Sequence, residues 1–303
     1  MNALKKNLPN SPKPKLIPEG LVSIDGQIMP ADHAQVSALD RGFLYGDSVF
    51  EVLRTYDGAP HFLEQHLERL FRSASRVHMN LPFNIQVLRT EVLALIQANR
   101  EDGDVYLRVV ITRGPGPLSL SLDTDFAYSR IILRAPVKVP DEAAYEKGIS
   151  VALVSARRYG AATSIAGVKS SNYLGNLLAA TEVKENGHHE AVFLSEEGML
   201  LEGSSSNVFI IKNGVLRTPP LSTGILPGIT RTMLIEAARD LGVPVSEQPL
   251  YPQDIYTADE AFITSSVREV FPVVAVDGLG IAQGKPGPFT RRLHARYRQK
   301  LRK

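Results

Sequence analysis

A stretch rich in proline and charge, residues 136–148 (PVKVPDEAAYEKG), divides the chain into two parts. Proline interrupts regular structure and charged residues favour solvent, so we interpret this stretch as an interdomain linker. A chain of 303 residues is long enough for two domains of ordinary size. The organisation predicted from this division is a flexible leader at 1–20, an N-terminal domain at 21–135, the linker at 136–148 and a C-terminal domain at 149–303.

Both parts combine strand patterns with helix patterns. Residues 21–28 alternate apolar and polar around Asp25-Gly26, a typical hairpin turn. Apolar residues at helical spacing predict helices at 62–77, 85–98, 173–186 and 230–241. Further strands are predicted at 48–56, 105–112, 129–135, 149–155, 190–194, 207–212 and 214–217. The sequence therefore predicts an α+β fold.

Composition excludes several classes of function. Cysteine is absent, which excludes disulfides, zinc–thiolate sites, iron–sulfur clusters and cysteine nucleophiles. The 34 basic and 32 acidic residues nearly balance, so charge gives no argument for binding nucleic acid or a membrane surface. The first 20 residues contain no apolar segment typical of a signal peptide, and we expect a cytoplasmic protein.

Four polar residues are candidates for chemistry. Lys169 lies among small residues, where desolvation would lower the pKa of its amine and make it a nucleophile for carbonyls. Residues 224–230 lead into a helix with Thr230 as the predicted N-cap, and such a helix start attracts anions. Arg69 borders the apolar face of a helix, and Glu202 precedes a Gly/Ser turn.

Each of these residues alone is also compatible with an ordinary role as a solvated charge, a helix cap or a turn residue. Together they provide what a pyridoxal 5'-phosphate (PLP) site needs. A lysine can form a Schiff base, an arginine and a helix N-terminus can hold a phosphate, and a carboxylate can keep a pyridine nitrogen protonated.

Five segments resemble the motifs of the class IV (fold-type IV) aminotransferases and occur in the same order. They are DRGFLYGDSVFE (40–51), HLERL (66–70), KSSNY (169–173), EGSSSN (202–207) and LPGITR (226–231). The resemblance covers residues 21–280. It implies a smaller N-terminal α/β domain, a larger β-rich pseudo-barrel C-terminal domain, and a homodimer with its active site near the subunit interface.

The resemblance also implies roles for individual residues. Lys169 would form the Schiff base with PLP and move a proton during the reaction. Tyr173 would hydrogen-bond to the ring hydroxyl, and Glu202 would pair with the ring nitrogen. The implied cofactor-binding set, including the phosphate contacts, is Arg69, Tyr173, Glu202, Leu226, Ile229, Thr230 and Ser266.

The substrates implied are an amino acid and a 2-oxo acid. Tyr106-Leu-Arg108 resembles a branched-chain aminotransferase element, in which the tyrosine helps to bind the α-carboxylate and the arginine binds a glutamate side chain. Packing within a strand is the alternative role for Tyr106 and Phe50. The full predicted substrate-binding set is Tyr45, Phe50, Arg54, Tyr106, Arg108 and Ser265, with Tyr45 and Arg54 near the rim of the pocket.

The leading hypothesis is transamination between an aliphatic or branched-chain L-amino acid and 2-oxoglutarate. Two departures leave alternatives open, because Val52 replaces the usual glycine of branched-chain enzymes and Val109 replaces a frequent proline. Residues 112–114 (TRG) resemble D-amino acid aminotransferases, although no Arg-x-His pair follows them. The alternatives are a D-amino acid or (R)-amine transaminase, an aminodeoxychorismate lyase, which Tyr173 disfavours, and a PLP-binding protein without catalysis. Intact Lys169, Glu202 and Arg69 argue against the last.

Overall fold

The computed structural model describes residues 20–98, 103–122, 125–159 and 167–301. The predicted leader at 1–20 lies, apart from Gly20, outside the described residues. The described chain forms two sheets with helices packed against each, which confirms the α+β class.

The first sheet, in the part of the chain that the structure describes, is antiparallel and has six strands in the order β2-β1-β6-β5-β3-β4. Its strands are β1 (Leu21–Ile24), β2 (Gln27–Pro30), β3 (Ser48–Tyr56), β4 (Ala59–Pro60), β5 (Val105–Thr112) and β6 (Ser129–Pro136). The Asp25-Gly26 turn joins β1 to β2 with φ values of 51° and 88°, the left-handed conformation that a tight hairpin requires.

Helices α2 (Leu63–Arg76) and α3 (Ile85–Gln97) cover one face of this sheet, and the short α1 (Arg41–Tyr45) precedes β3. Because side chains alternate along a strand, β5 turns Val105, Leu107, Val109 and Ile111 toward the helices. Tyr106 and Arg108 consequently lie on the opposite face. The same alternation puts Glu51 of β3 on the helix face and Phe50 and Val52 on the other.

The second sheet closes on itself. In the described residues its strand order is β12-β11-β10-β13-β14-β7-β8-β9, and β9 pairs again with β10 through Asn207 and Glu202. Its strands are β7 (Ile149–Ser155), β8 (Glu190–Leu194), β9 (Leu200–Gly203), β10 (Asn207–Lys212), β11 (Val215–Thr218), β12 (Val245–Glu247), β13 (Glu260–Ser265), β14 (Glu269–Val276) and β15 (Leu279–Gly280). This ring confirms the expected β-rich pseudo-barrel.

Alternate residues of β10 pack into two cores. Val208 and Ile210 join a cluster inside the ring, whereas Phe209 and Ile211 pack against the helices outside it. The helices of this part are α4 (Glu142–Lys147), α5 (Ala156–Tyr159), α6 (Leu174–Glu185), a 3-10 helix (Leu221–Thr223), α7 (Ile229–Asp240), α8 (Pro252–Tyr256) and α9 (Pro288–Leu301).

The predicted elements agree closely with those observed. The strands predicted at 48–56, 105–112, 149–155, 190–194 and 207–212 have the predicted bounds, and the remaining predicted helices and strands end within one residue of them, apart from the first hairpin, which extends to Pro30. The predicted linker at 136–148 contains α4, and its role as a domain boundary stays a prediction. Within the described ranges no helix is long and apolar enough to cross a membrane.

Candidate active site

A cavity of about 480 Å³ is lined by residues of both sheets and of α7. The predicted site residues that line it are Phe50, Arg69, Tyr106, Arg108, Lys169, Tyr173, Glu202, Leu226, Ile229, Thr230, Ser265 and Ser266. Residues separated by more than 200 positions in sequence thus meet around one space.

Lys169 is held by the backbone of β3, and its amine lies beside the rings of Phe50 and Tyr173, which contact each other at 5.2 Å between centres. The Phe50 N–H donates to the Lys169 carbonyl at 2.9 Å. The lysine Nζ lies 3.3 Å from the Tyr173 hydroxyl and 4.6 Å from the centre of the Phe50 ring. No carboxylate of the described residues comes within ion-pair distance of Nζ, so the amine is free to react with a ligand in the cavity.

Glu202 extends into the cavity from β9. Its Oε2 accepts hydrogen bonds from the Leu226 N–H at 3.0 Å and from the Asn207 side chain at 3.4 Å. Burial raises the pKa of Glu202 to about 7, although the Leu226 N–H and the charges of Lys169 and Arg69 act in the opposite direction. A carboxyl group with this pKa can share a proton with a ring nitrogen near neutral pH.

The start of α7 also faces the cavity, and the prediction that Thr230 is its N-cap is wrong. Gly228 occupies that position in an extended conformation, and Thr230 is the second residue of the helix. A side chain at 228 would collide with Asn207, since a Cβ there would lie 2.1 Å from the Asn207 Oδ1. With no side chain capping α7, its first N–H groups are available to an anion.

Arg69 reaches the same end of the cavity from α2. Its Nε and Nη2 each donate to the Glu51 carboxylate at 2.6 Å, and its Nη1 donates to the Pro227 carbonyl at 2.8 Å. Burial alone would raise the pKa of Glu51, but Arg69 and His66 hold it at about 2. Glu51 is therefore ionised and fixes the orientation of the guanidinium.

Two buried hydroxyl groups at the cavity have no hydrogen-bond partner among the described residues. They belong to Ser206 and Thr264. Buried polar groups are rarely left without a partner in native proteins, so these hydroxyls fit a polar ligand. Together with the uncapped helix start and Arg69, they suit a phosphorylated cofactor.

One wall of the cavity combines apolar and cationic groups. Phe50, Val52, Tyr106 and Arg108 extend from the paired strands β3 and β5, in which Val52 lies directly opposite Arg108. The Arg108 guanidinium lies 3.8 Å from the centre of the Phe50 ring. No carboxylate within the described parts of the chain pairs with it, so its charge is available to a ligand.

Tyr45 and Arg54 do not line this cavity in the single chain, and their expected position near its rim stays a prediction. The Tyr45 ring packs against the Arg41 guanidinium at 4.9 Å. Arg54 lies in a small adjacent space, where its Nη1 is 3.8 Å from Glu269 and its guanidinium stacks on Tyr56 at 4.1 Å. These contacts hold Arg54 in the adjacent space.

Several residues of the site received no role from sequence reasoning. The cavity-lining ones include Lys138, Asn172, Asn176, Ser206, Asn207, Thr264 and Arg268, and those behind it are Glu51 and His66. Glu51, His66, Asn172, Ser206 and Asn207 belong to the motifs above, which was their only sequence signal. Lys138 lies in the predicted linker.

Comparisons with known proteins agree with this geometry. The family described as amino-transferase class IV matches residues 48–276. A putative branched-chain-amino-acid aminotransferase of Methanocaldococcus jannaschii is 38% identical over 277 residues, which cover 91% of this chain and 95% of that protein. The D-alanine aminotransferase of Bacillus licheniformis is 32% identical over 271 residues, covering 89% and 93%.

Solved structures of branched-chain aminotransferases are also similar to this chain over most of its length. The branched-chain aminotransferase of Thermoproteus uzoniensis with norvaline has a TM-score of 0.85 at 33% identity, and the match covers 93% of this chain and 94% of that one. The branched-chain amino acid aminotransferase of Thermobaculum terrenum in its PLP form has a TM-score of 0.81 at 28% identity, covering 93% of each chain. The similarity therefore extends over both sheets and the cavity between them.

Proposed function

Because the chain belongs to the class IV aminotransferases, which are PLP-dependent, we propose that it transfers the amino group of an aliphatic or branched-chain L-amino acid to 2-oxoglutarate. Several relatives and similar structures have branched-chain amino acids in their names, which supports this substrate class. When bound, PLP supplies an electron sink that stabilises negative charge on the substrate.

Lys169 is the residue we assign to covalent attachment of the cofactor and to proton movement during the reaction. Lys169 lines the cavity, and its amine has no anionic partner among the described residues. Tyr173, at 3.3 Å from the amine, can orient it and can donate to a ring hydroxyl. The Phe50 ring, which contacts the Tyr173 ring, covers the same side of the amine.

We assign the two ends of the cofactor to two groups of residues. Glu202, whose pKa burial raises to about 7, holds a proton at the ring nitrogen. Arg69, the N–H groups at the start of α7 and the nearby hydroxyls hold the phosphate. This second group comprises Arg69, Leu226, Ile229, Thr230 and Ser266.

The observation that carries the choice of substrates is the wall formed by Phe50, Val52 and Arg108. An aliphatic side chain can pack against the apolar part of this wall. The guanidinium of Arg108, which has no carboxylate partner among the described residues, can bind the second carboxylate of glutamate or 2-oxoglutarate bidentately. One pocket can thus accept both partners of the reaction.

We predict that Arg108→Met impairs the reaction with dicarboxylic substrates selectively. Loss of a charged hydrogen-bonded contact should lower kcat/KM for 2-oxoglutarate by about 10- to 100-fold. With 4-methyl-2-oxopentanoate as the acceptor, kcat/KM should change by less than about threefold, because its side chain does not need a cation. Steady-state kinetics with both acceptors measure this difference, and Arg72→Met on the exposed face of α2 is the matched control.

An equal loss with both acceptors would contradict this role of Arg108.

The amino donor is tested separately with L-leucine, D-alanine and aminodeoxychorismate. The similarity to D-alanine aminotransferases favours D-amino acids as the second candidate. Transfer from D-alanine alone, or release of pyruvate from aminodeoxychorismate alone, would replace the proposed activity, and Lys169→Ala should abolish any of them.

We further propose that the enzyme is a cytoplasmic homodimer. Support comes from apolar side chains exposed on α1, α6 and the segment after β5, since large exposed apolar surfaces commonly mark interfaces. They include Phe43 at 75%, Leu118 at 73%, Leu120 at 81% and Leu174 at 68% exposure. Sedimentation equilibrium tests the oligomeric state, and a monomer at micromolar concentration would contradict it.

A further inference from the structure

A buried chain of polar side chains extends from Glu51 to the cavity. The Glu51 carboxylate lies 2.7 Å from His66 Nδ1, and His66 Nε2 lies 3.4 Å from the Ser266 hydroxyl oxygen. Glu51 is 0% and His66 2% exposed, whereas Ser266 lines the cavity. His66 is therefore placed between an ionised carboxylate and a hydroxyl that faces the proposed phosphate position.

The ionised Glu51 determines which ring nitrogen of His66 carries hydrogen. A carboxylate only accepts hydrogen bonds, so Nδ1–H must donate to it. Burial lowers the pKa of His66, as do the charges of Arg69 and Lys169, while Glu51 acts in the opposite direction. The ring is neutral near pH 7 on this basis, and its Nε2 can only accept from the Ser266 O–H.

A bound phosphate creates a conflict at Ser266. The serine hydroxyl has one hydrogen, and a phosphate dianion, like the neutral Nε2, is only an acceptor. If Ser266 donates to the phosphate, its oxygen and Nε2 face each other as two acceptors. The conflict disappears when Nε2 gains a hydrogen.

We propose that the phosphate group of the cofactor binds together with one proton, which His66 takes from solvent onto Nε2. The Nε2–H then donates to the Ser266 oxygen, and Ser266 donates its own hydrogen to the phosphate. His66 is a positioning residue, because it acts on the phosphate through Ser266. This inference rests on the phosphate position given under Proposed function.

The charges around His66 are consistent with this proton uptake. Glu51 from β3 favours the imidazolium, and the phosphate adds further negative charge on the other side. The positive charges of Arg69 and Lys169 oppose the imidazolium, although the Arg69 guanidinium already pairs with Glu51.

The remaining groups around His66 contribute little charge. They line the small space beside it and are Arg54, Tyr56, His61 and Tyr297. Burial raises the pKa of both tyrosines and lowers that of His61, so these three are neutral near pH 7. The charge of Arg54 is offset by Glu269 at 3.8 Å.

The test measures protons taken up when pyridoxamine 5'-phosphate binds to the cofactor-free enzyme. This probe has no aldehyde and cannot attach to Lys169. Calorimetric titrations at pH 8 in buffers of different ionisation enthalpy give the number of protons. The variants are His66→Asn, which keeps a donor at the position of Nδ1, and Ser266→Ala, which keeps His66 but breaks the chain.

We expect wild type to take up about 0.5–1 proton more per bound probe than either variant. As the pH rises, the affinity of wild type for the probe should fall more steeply than the affinity of either variant. The difference should be up to about tenfold per pH unit. His188→Asn is the matched control, because His188 also contacts a serine hydroxyl, Ser150 at 2.8 Å, but lies outside the cavity. It should behave as wild type.

Nitrogen-15 spectra of labelled histidine provide a second measurement, in which both His66 ring nitrogens should carry hydrogen in the complex. Equal proton uptake in wild type and both variants would overturn the proposal if the probe still binds more tightly than unphosphorylated pyridoxamine. If the two probes bind equally, the phosphate position itself is wrong. Equal binding of the two probes thus refutes the proposed cofactor placement, whereas equal proton uptake refutes only the role of His66.

Discussion

At the scale of single residues, Glu202 shows how burial prepares a group for chemistry at a cost in stability. Its carboxyl is enclosed by β9, β10 and the Leu226 backbone, which raises its pKa to about 7. The group keeps its proton in the folded enzyme at a pH where the unfolded chain has released it. In the cofactor-free enzyme, the free energy of unfolding should therefore decrease as the pH rises.

We predict that Glu202→Gln removes this pH dependence in the cofactor-free enzyme. The folded pKa is above the unfolded value of 4.5, so wild type loses stability as the pH rises from 4.5 through about 7. Over that window the variant should gain roughly 3 kcal/mol relative to wild type. Urea unfolding at pH 5 and pH 8 measures the difference.

Glu146→Gln, at an exposed position on α4, is the control and should follow the wild-type curve. Parallel pH curves for wild type and Glu202→Gln would show that Glu202 has an ordinary pKa.

The residues that we assign to the cofactor could be selected from the sequence, but the contacts that orient them could not. Lys169, Glu202 and Arg69 could be selected from residue type and motif. Arg54 was expected near the rim of the cavity. Its guanidinium contacts Glu269, more than 200 residues later in the chain, and such a partner follows from the tertiary fold alone.

At the scale of secondary structure, the start of α9 depends on a carboxylate from a strand. Glu260 of β13 accepts hydrogen bonds from the N–H groups of Phe289 and Thr290 and from the Thr290 hydroxyl, at 2.9, 2.7 and 2.7 Å. Gly287 allows this approach, because a Cβ there would lie 2.0 Å from the carboxyl carbon. The cap joins the last helix to the barrel.

We predict that Glu260→Gln lowers the free energy of unfolding by about 1–3 kcal/mol. The amide keeps the shape but turns one acceptor oxygen into a donor that faces backbone N–H groups. Thermal and urea unfolding measure the loss. Glu236→Gln, which removes an exposed carboxylate 3.6 Å from Lys300 of the same helix, should change it by less than about 0.5 kcal/mol.

Equal effects of the two substitutions would show that Glu260 contributes only charge. This cap was not predictable from the sequence, because its acceptor lies about 30 residues before the helix. The boundaries of α2 and β5 were predictable, because apolar spacing within each element determines them.

At the scale of the whole molecule, Glu269 connects the two sheets and α9. Its carboxylate accepts from the Tyr56 hydroxyl at 3.0 Å, and lies 2.6 Å from His294 and 2.7 Å from Arg298. Arg54, which contacts Glu269, also donates to the Val267 carbonyl beside Ser266. Glu269 and Arg54 together therefore join the N-terminal sheet to the turn that lines the cavity.

We predict that Glu269→Gln destabilises the molecule and that the loss depends on pH. Burial alone would raise the pKa of Glu269, but His294 and Arg298 hold it at about 2, below the unfolded value of 4.5. The stabilisation is thus fully present above pH 4.5 and is lost as the pH falls toward 2. Breaking a buried charge pair should cost about 3–5 kcal/mol at pH 7, and the difference from wild type should shrink below pH 4.5.

Urea unfolding at pH 7 and pH 3.5 measures the effect of Glu269→Gln. Asp240→Asn, an exposed carboxylate that pairs with Arg296 and Lys300 of the same helix, is the control and should have a much smaller effect. A pH-independent loss in Glu269→Gln would mean that the connection between the sheets depends on packing around residue 269 and not on its charge.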